Sequence, residues 1–151
     1  MIFDRTMTST VYIVNDKKVL LHLHKKYNTW FAVGGHIKAD ELPHQAAVRE
    51  VFEETGAVIT LEKTEHTTAD LVNVEQLPLP FMLCREGIGS DEEFMDFVFV
   101  SRTQIDKINP QKDESRQFKW FTKAELLEDK SLKPHIKNTA LCVLEYLENR
   151  G

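Results

Sequence analysis

The sequence predicts a mixed α/β sandwich. Three observations carry that expectation. Short segments of β character lie on either side of one strongly signalled central helix, and a second long amphipathic helix closes the chain. The stretch "EEFMDFVFVSR" is apolar on both faces, with Phe94, Val98 and Val100 on one and Met95, Phe97 and Phe99 on the other. That pattern suits a strand covered on both sides.

The elements follow in order. "STVYIVND" and "KKVLLHLHKK" read as two strands about a polar turn at Asn15-Asp16, which lacks the usual glycine. His22 and His24 share one face of the second strand, opposite Leu21 and Leu23. No third ligand lies nearby, so they read as strand residues before they read as metal ligands. "TWFAV" (Thr29 to Val33) is a short strand running into Gly34-Gly35, expected as a loop. The next stretch, "ADELPHQAAVREVFEETG", carries helix signals at both ends: Asp40 or Glu41 near the N-cap, Pro43 in the first turn, Gly56 at the C-cap. At 100° per residue, Val48, Val51 and Phe52 form the expected packing face. Glu50, Glu53 and Glu54 form an acidic face, with Ala46 and Ala47 among them. "AVITLEKT", "PFMLC" and "FKWF" read as further strands, and "TKAELLED" as a short helix opened by a Thr N-cap. The closing "PHIKNTALCVLEYLENR" aligns Ile136, Ala140, Val143, Leu144 and Leu147 as one apolar stripe.

Composition narrows the function. The 151 residues suit a single domain over 1–151, and 42% hydrophobic with 28% charged residues is an ordinary globular balance. A net charge of −5 argues against a nucleic-acid polymer as partner but leaves a small phosphorylated substrate open. Cys84 and Cys142 lie far apart and imply no disulfide framework. No leader pattern and no membrane-length apolar run is visible, so a cytoplasmic protein without membrane contact is expected.

The chemistry concentrates in "AAVREVFEETG". Carboxylates three and four residues apart repel by a few tenths of a kcal/mol per pair, roughly. A hard divalent cation such as Mg²⁺ or Mn²⁺ would remove that repulsion, taking oxygen ligands and sharing its coordination with phosphates. Arg49 can pair with Glu53 at i,i+4, and Gly34 and Gly35 let backbone come close. Taken alone, the acidic face reads as a solvated surface before it reads as a metal site.

The wider spacing goes further. Gly35, five residues, Glu41, seven residues, then Arg49-Glu50-Val51-Phe52-Glu53-Glu54-Thr55-Gly56 resembles the signature of the Nudix hydrolase family, in its MutT-like form. The match runs from Gly35 to Ala57, where Ala57 stands at a position usually held by a bulky aliphatic. The resemblance implies an α/β/α sandwich with a mixed central sheet and a metal-dependent nucleotide pyrophosphatase. It implies Glu50, Glu53 and Glu54 as metal carboxylates, Glu50 or Glu53 as the base, and Arg49 as the residue that orients them. Gly34 would offer its carbonyl to the metal, while Gly35, Glu41 and Gly56 support the arrangement. Members often add a carboxylate from a later loop. Glu114 in "KDESRQFKWF" is the expected one, with Asp113 beside it and Asp91, Glu92 and Glu93 as a second acidic loop. Family members are often dimers, which leaves a homodimer open.

The substrate so implied is a nucleoside diphosphate linked to another group. The proline typical of ADP-ribose-type members is missing, since Leu71, Val72 and Asn73 occupy its region. No tyrosine of the dinucleoside-polyphosphate kind falls between Tyr27 and Tyr146, and "HKKYNTWFAVGG" lacks the coenzyme A motif. Elimination leaves a nucleoside triphosphate, unmodified or oxidised, cleaved to the monophosphate and pyrophosphate. ADP-ribose, a nucleotide sugar or a silent nucleotide-sensing module are the alternatives. Phe81, Phe94 and Phe118 are candidate stacking surfaces, and His36 could touch phosphate. The lysines at 17–18 and 25–26 could steer anions, though solvated surface charge is the simpler reading.

Overall fold

The computed structural model describes residues 5–63, 71–105, 107–111 and 117–150. Among these, seven strands form one mixed sheet and three helices cover it: β1 Arg5–Asn15, β2 Lys18–His24, β3 Thr29–Phe31, β4 Val33–His36, α1 Pro43–Thr55, β5 Met82–Glu86, β6 Glu93–Arg102, β7 Gln117–Phe121, α2 Lys123–Glu128 and α3 Pro134–Asn149. The sheet runs β3-β2-β1-β6-β5, with β4 added to β1 and β7 to β2. β1 and β6 are parallel, in register from Arg5 opposite Glu93 to Val14 opposite Arg102, and the other pairings between strands are antiparallel. No helix among the described residues is long and apolar enough to cross a membrane.

Strand alternation sorts the side chains into two cores, one on each face of the sheet. On one face Val11, Ile13, Leu20, Val33 and Phe99 pack against Ala47 and Val51 of α1. On the other, Tyr12, Val14, Val19, Leu21, Val98 and Val100 pack against Leu126 of α2 and Ile136, Ala140, Val143 and Leu147 of α3. The α/β/α sandwich follows, with β6 apolar on both faces as its sequence predicts.

Several expectations change in detail. The β1–β2 hairpin turns on Asp16 and Lys17, both at positive φ (47° and 63°), which matches the strand twist without glycine. "TWFAV" is divided between β3 and β4, and Gly34-Gly35 is not a loop: it is strand, paired with Thr10 and Ser9 of β1. "AVITLEKT" forms no regular strand within the described residues. Leu61 makes one bridge to Ser101, because β5 already holds much of that edge of β6.

Helix α1 begins one residue after Leu42, whose N–H donates to Gln45 Oε1 at 2.9 Å, so neither Asp40 nor Glu41 caps it. Its packing face is also rotated from the expected one. Phe52 is 42% exposed, whereas Ala46, Ala47, Val51, Glu54 and Thr55 are buried. The two alanines let the helix lie close to the sheet, and its acidic side is thereby turned partly inward.

Candidate active site

The site grows from how α1 is tied to β1 and β4. Ser9 donates to the carbonyl of Pro43 at 2.6 Å, fixing the first turn of the helix over the strand. At the far end Gly56 adopts φ 79° and donates to Phe52 O, closing the helix as its sequence predicts. Two further carbonyls there are also capped. Asn109 N–H donates to Thr55 O and Gln111 N–H to Glu53 O, each at 2.8 Å, so the segment before β7 is fastened to the end of α1.

Arg49 is the centre of the acidic cluster. Its Nε and Nη2 form a fork on Glu41, at 2.5 and 3.0 Å, and Nη1 reaches both Glu50 at 2.9 Å and Glu53 at 3.0 Å. Nη2 also donates to the carbonyl of His36 at 3.0 Å, tying the helix to the end of β4. The guanidinium side chain is 20% exposed, so solvent screens these bonds only in part. The hydrogen bond from Arg49 holds the Glu41 carboxyl below the usual carboxylate range, and Glu41 in turn raises Arg49. Glu41 also accepts from the Lys38 N–H at 3.0 Å.

The two glycines act on different neighbours. A Cβ on Gly35 would lie 2.5 Å from both Cδ and Oε1 of Glu50, so its missing side chain is the space the Glu50 carboxylate fills. A Cβ on Gly34 would strike the backbone oxygen of Ser9 and approach Thr10 Cα at 2.9 Å. Glu54 lies on the same helix, 5% exposed.

The structure thus brings together Glu41, Arg49, Glu50, Glu53 and Gly35. All the acidic groups here offer oxygen, which fits a hard divalent cation, and the Gly35 cradle leaves Glu50 room beside the backbone. Among the described residues, no three His, Cys, Asp or Glu side chains already close around a point as metal ligands. Glu114 and Asp113 lie outside the described residues. Of the second acidic loop, Asp91 and Glu92 lie exposed in the connection before β6, whereas Glu93 does not belong to it. Glu93 is the first residue of β6, and its carboxylate is spent on Arg5 at 3.1 Å and Arg85 at 2.7 Å.

Of the stacking candidates, Phe81 meets Tyr146, Phe118 meets His22, and Phe94 lies 6.5 Å from His36. A cavity of about 390 Å³ opens instead on the opposite face of the sheet, lined by Thr10, Phe31, Ala32, Glu86, Asp96 and His135 among others. The sequence reading missed it. The only local signal was polar Thr8 and Thr10 on a strand face that continues as apolar Tyr12 and Val14.

A model of the NUDIX domain matches residues 4–142. A crystal structure of a NUDIX-family hydrolase from Clostridium perfringens superposes with a TM-score of 0.82 at 29% identity, covering 96% of this chain and 99% of that one. The MutT protein of Methanosarcina mazei Go1 gives 0.69 at 15% identity over 99% and 97% of the two chains. The E. coli dihydroneopterin triphosphate pyrophosphohydrolase gives 0.64 at 18% over 99% of each. At these lower identities the likeness is one of fold.

Proposed function

The chain belongs to the NUDIX family and is a pyrophosphohydrolase, and from that premise we propose that it splits a nucleoside triphosphate, unmodified or oxidised, into the monophosphate and pyrophosphate. The observation that carries the catalytic assignment is the Arg49 cluster: one guanidinium gathers Glu41, Glu50 and Glu53 on the edge of β4.

Glu50, Glu53 and Glu54, with the Gly34 carbonyl, would hold Mg²⁺ or Mn²⁺. Glu114, outside the described residues, completes the set in this reading as the family resemblance implies. When bound, such a cation supplies Lewis-acid neutralisation of phosphoryl oxygens and lowers the pKa of water. The chain's own residues position the rest. Arg49 holds Glu50 and Glu53 in fixed rotamers, so either can take a proton from water without reorganising, and Glu41 keeps Arg49 in place. Gly35 keeps the Glu50 carboxylate against the backbone. The cavity on the other face of β1, within the usual size range of small-molecule pockets, would take the base.

Chromatographic detection of the monophosphate and its co-product from a panel of nucleoside triphosphates, ADP-ribose and nucleotide sugars, with Mg²⁺ and then Mn²⁺, tests the reading. Glu53→Gln should lower kcat by about 10²–10³-fold with the fold unchanged by circular dichroism. Near-full activity in that variant would remove Glu53 from the site, and turnover confined to another class would replace the triphosphate assignment.

A further inference from the structure

The polar groups of the cavity on the α3 face differ in the bonds they have left to make. Asp96 is 4% exposed. Its Oδ1 accepts from the Thr8 hydroxyl at 2.9 Å, and the Thr10 hydroxyl lies 2.8 and 2.9 Å from its two oxygens. The same carboxylate is hydrogen-bonded to Glu86. Two carboxyl groups in contact do not both ionise readily, and the threonine donors select Asp96 as the anion. Glu86 is then the acid, with its O–H donating to Asp96. Its second oxygen is left as an acceptor at the cavity wall.

The surroundings agree. Burial raises both carboxyls, Glu86 up to about 7 with Asp96 adding and Lys133 opposing, while the bonds from Glu86, Thr10 and Thr8 pull Asp96 back down. Cys84 and Tyr12 also face the pair from β5 and β1, and His135 faces it from α3 with its pKa lowered by burial. Arg85, although it lines the cavity, is engaged by Glu93. Phe31 supplies an aromatic wall, and Lys133 Nζ stands 5.1 Å from its ring centroid.

We propose that Glu86 is a specificity-determining residue of this cavity, selecting a flat heterocycle that turns an N–H donor toward its acceptor oxygen, with Asp96 as the positioning residue that fixes the carboxyl. The inference rests on the reading that the cavity takes the non-phosphate part of the substrate. A ligand without the N–H would leave the acceptor unpaired, the kind of mismatch that discriminates strongly in a desolvated site.

The test compares 2-aminopurine riboside, followed by its own fluorescence, with purine riboside as competitor, without metal. The two differ by one amino group, and neither carries phosphate. The wild type should favour the amino-bearing nucleoside by about tenfold, the size of one net hydrogen bond. Glu86→Gln should keep that preference, because its amide donates to Asp96 and its carbonyl still accepts. Glu86→Leu should bring the ratio near unity while both nucleosides still bind. Equal affinities in the wild type, a preference surviving in Glu86→Leu, or no saturable binding of either nucleoside would overturn the assignment. An amino preference without triphosphate hydrolysis would sink the triphosphate reading alone. Hydrolysis without the preference would sink Glu86 alone.

Discussion

At the scale of single residues, Gly34 and Gly35 stand side by side in β4 and are small for different reasons. The methyl of Gly35→Ala would meet the far end of a flexible side chain, the Glu50 carboxylate. That carboxylate can swing away, so the expected loss of stability is below about 1 kcal/mol. The displaced group is nevertheless one that the proposed chemistry needs in place, and kcat should fall by about 10²-fold. Gly34→Ala would meet the backbone of Ser9 and Thr10 inside the sheet, which cannot move alone. A loss of about 1–3 kcal/mol is expected from that overpacking. Thermal unfolding of both variants beside their kcat separates the two cases. Equal destabilisation would show that Glu50 does not depend on the Gly35 cradle.

At the scale of elements, α1 is held at both ends by residues far from it in sequence. Ser9 pins the first turn, and the 109–111 segment accepts the role of cap for the last carbonyls. Gly56 is the joint between them. Its φ of 79° disfavours any side chain, and a Cβ there would also strike the carbonyl of Asn109. Gly56→Ala should therefore destabilise by more than about 1 kcal/mol, the ordinary left-handed penalty, as read from denaturant midpoints. A smaller loss would mean that the 109–111 segment gives way, in which case activity should fall with Glu53 loosened. The local signals of this helix, Pro43 and Gly56, were legible because capping chemistry acts over a few residues. Its packing face was not. Hydrophobic periodicity nominates Phe52, yet close approach to the sheet favours the side bearing Ala46, Ala47 and Thr55.

At the scale of the whole molecule, two polar sites flank the β1–β4 pairing: the Arg49 cluster on the α1 side and the Glu86–Asp96 pair on the α3 side. The pair ties stability to pH. Unfolded, Glu86 ionises near its ordinary value of 4.5, whereas folded it keeps its proton to about 7. The native state therefore binds more protons across that window, so the stability Glu86 contributes is present below pH 4.5 and is lost as pH rises to 7. Glu86→Gln cannot titrate. Its melting temperature should gain on the wild type between pH 5 and 7 and hold that difference at pH 8; a pH-independent difference would show that Glu86 titrates normally. The sequence by itself determined the sandwich class, the first-turn proline and C-cap glycine of α1, and the spacing of Arg49, Glu50, Glu53 and Glu54. Periodicity and capping encode these locally, and the spacing is itself the motif. Only the tertiary structure decided that Gly34-Gly35 is strand, that Glu41 is a partner of Arg49 and not a cap, and that Thr8, Thr10, Glu86 and Asp96 meet. Thr10 and Asp96 are 86 positions apart, brought together by the parallel register of β1 and β6. Each strand's alternation gives its two faces but does not name its partner, so this register is fixed only when both faces are buried in the assembled sheet.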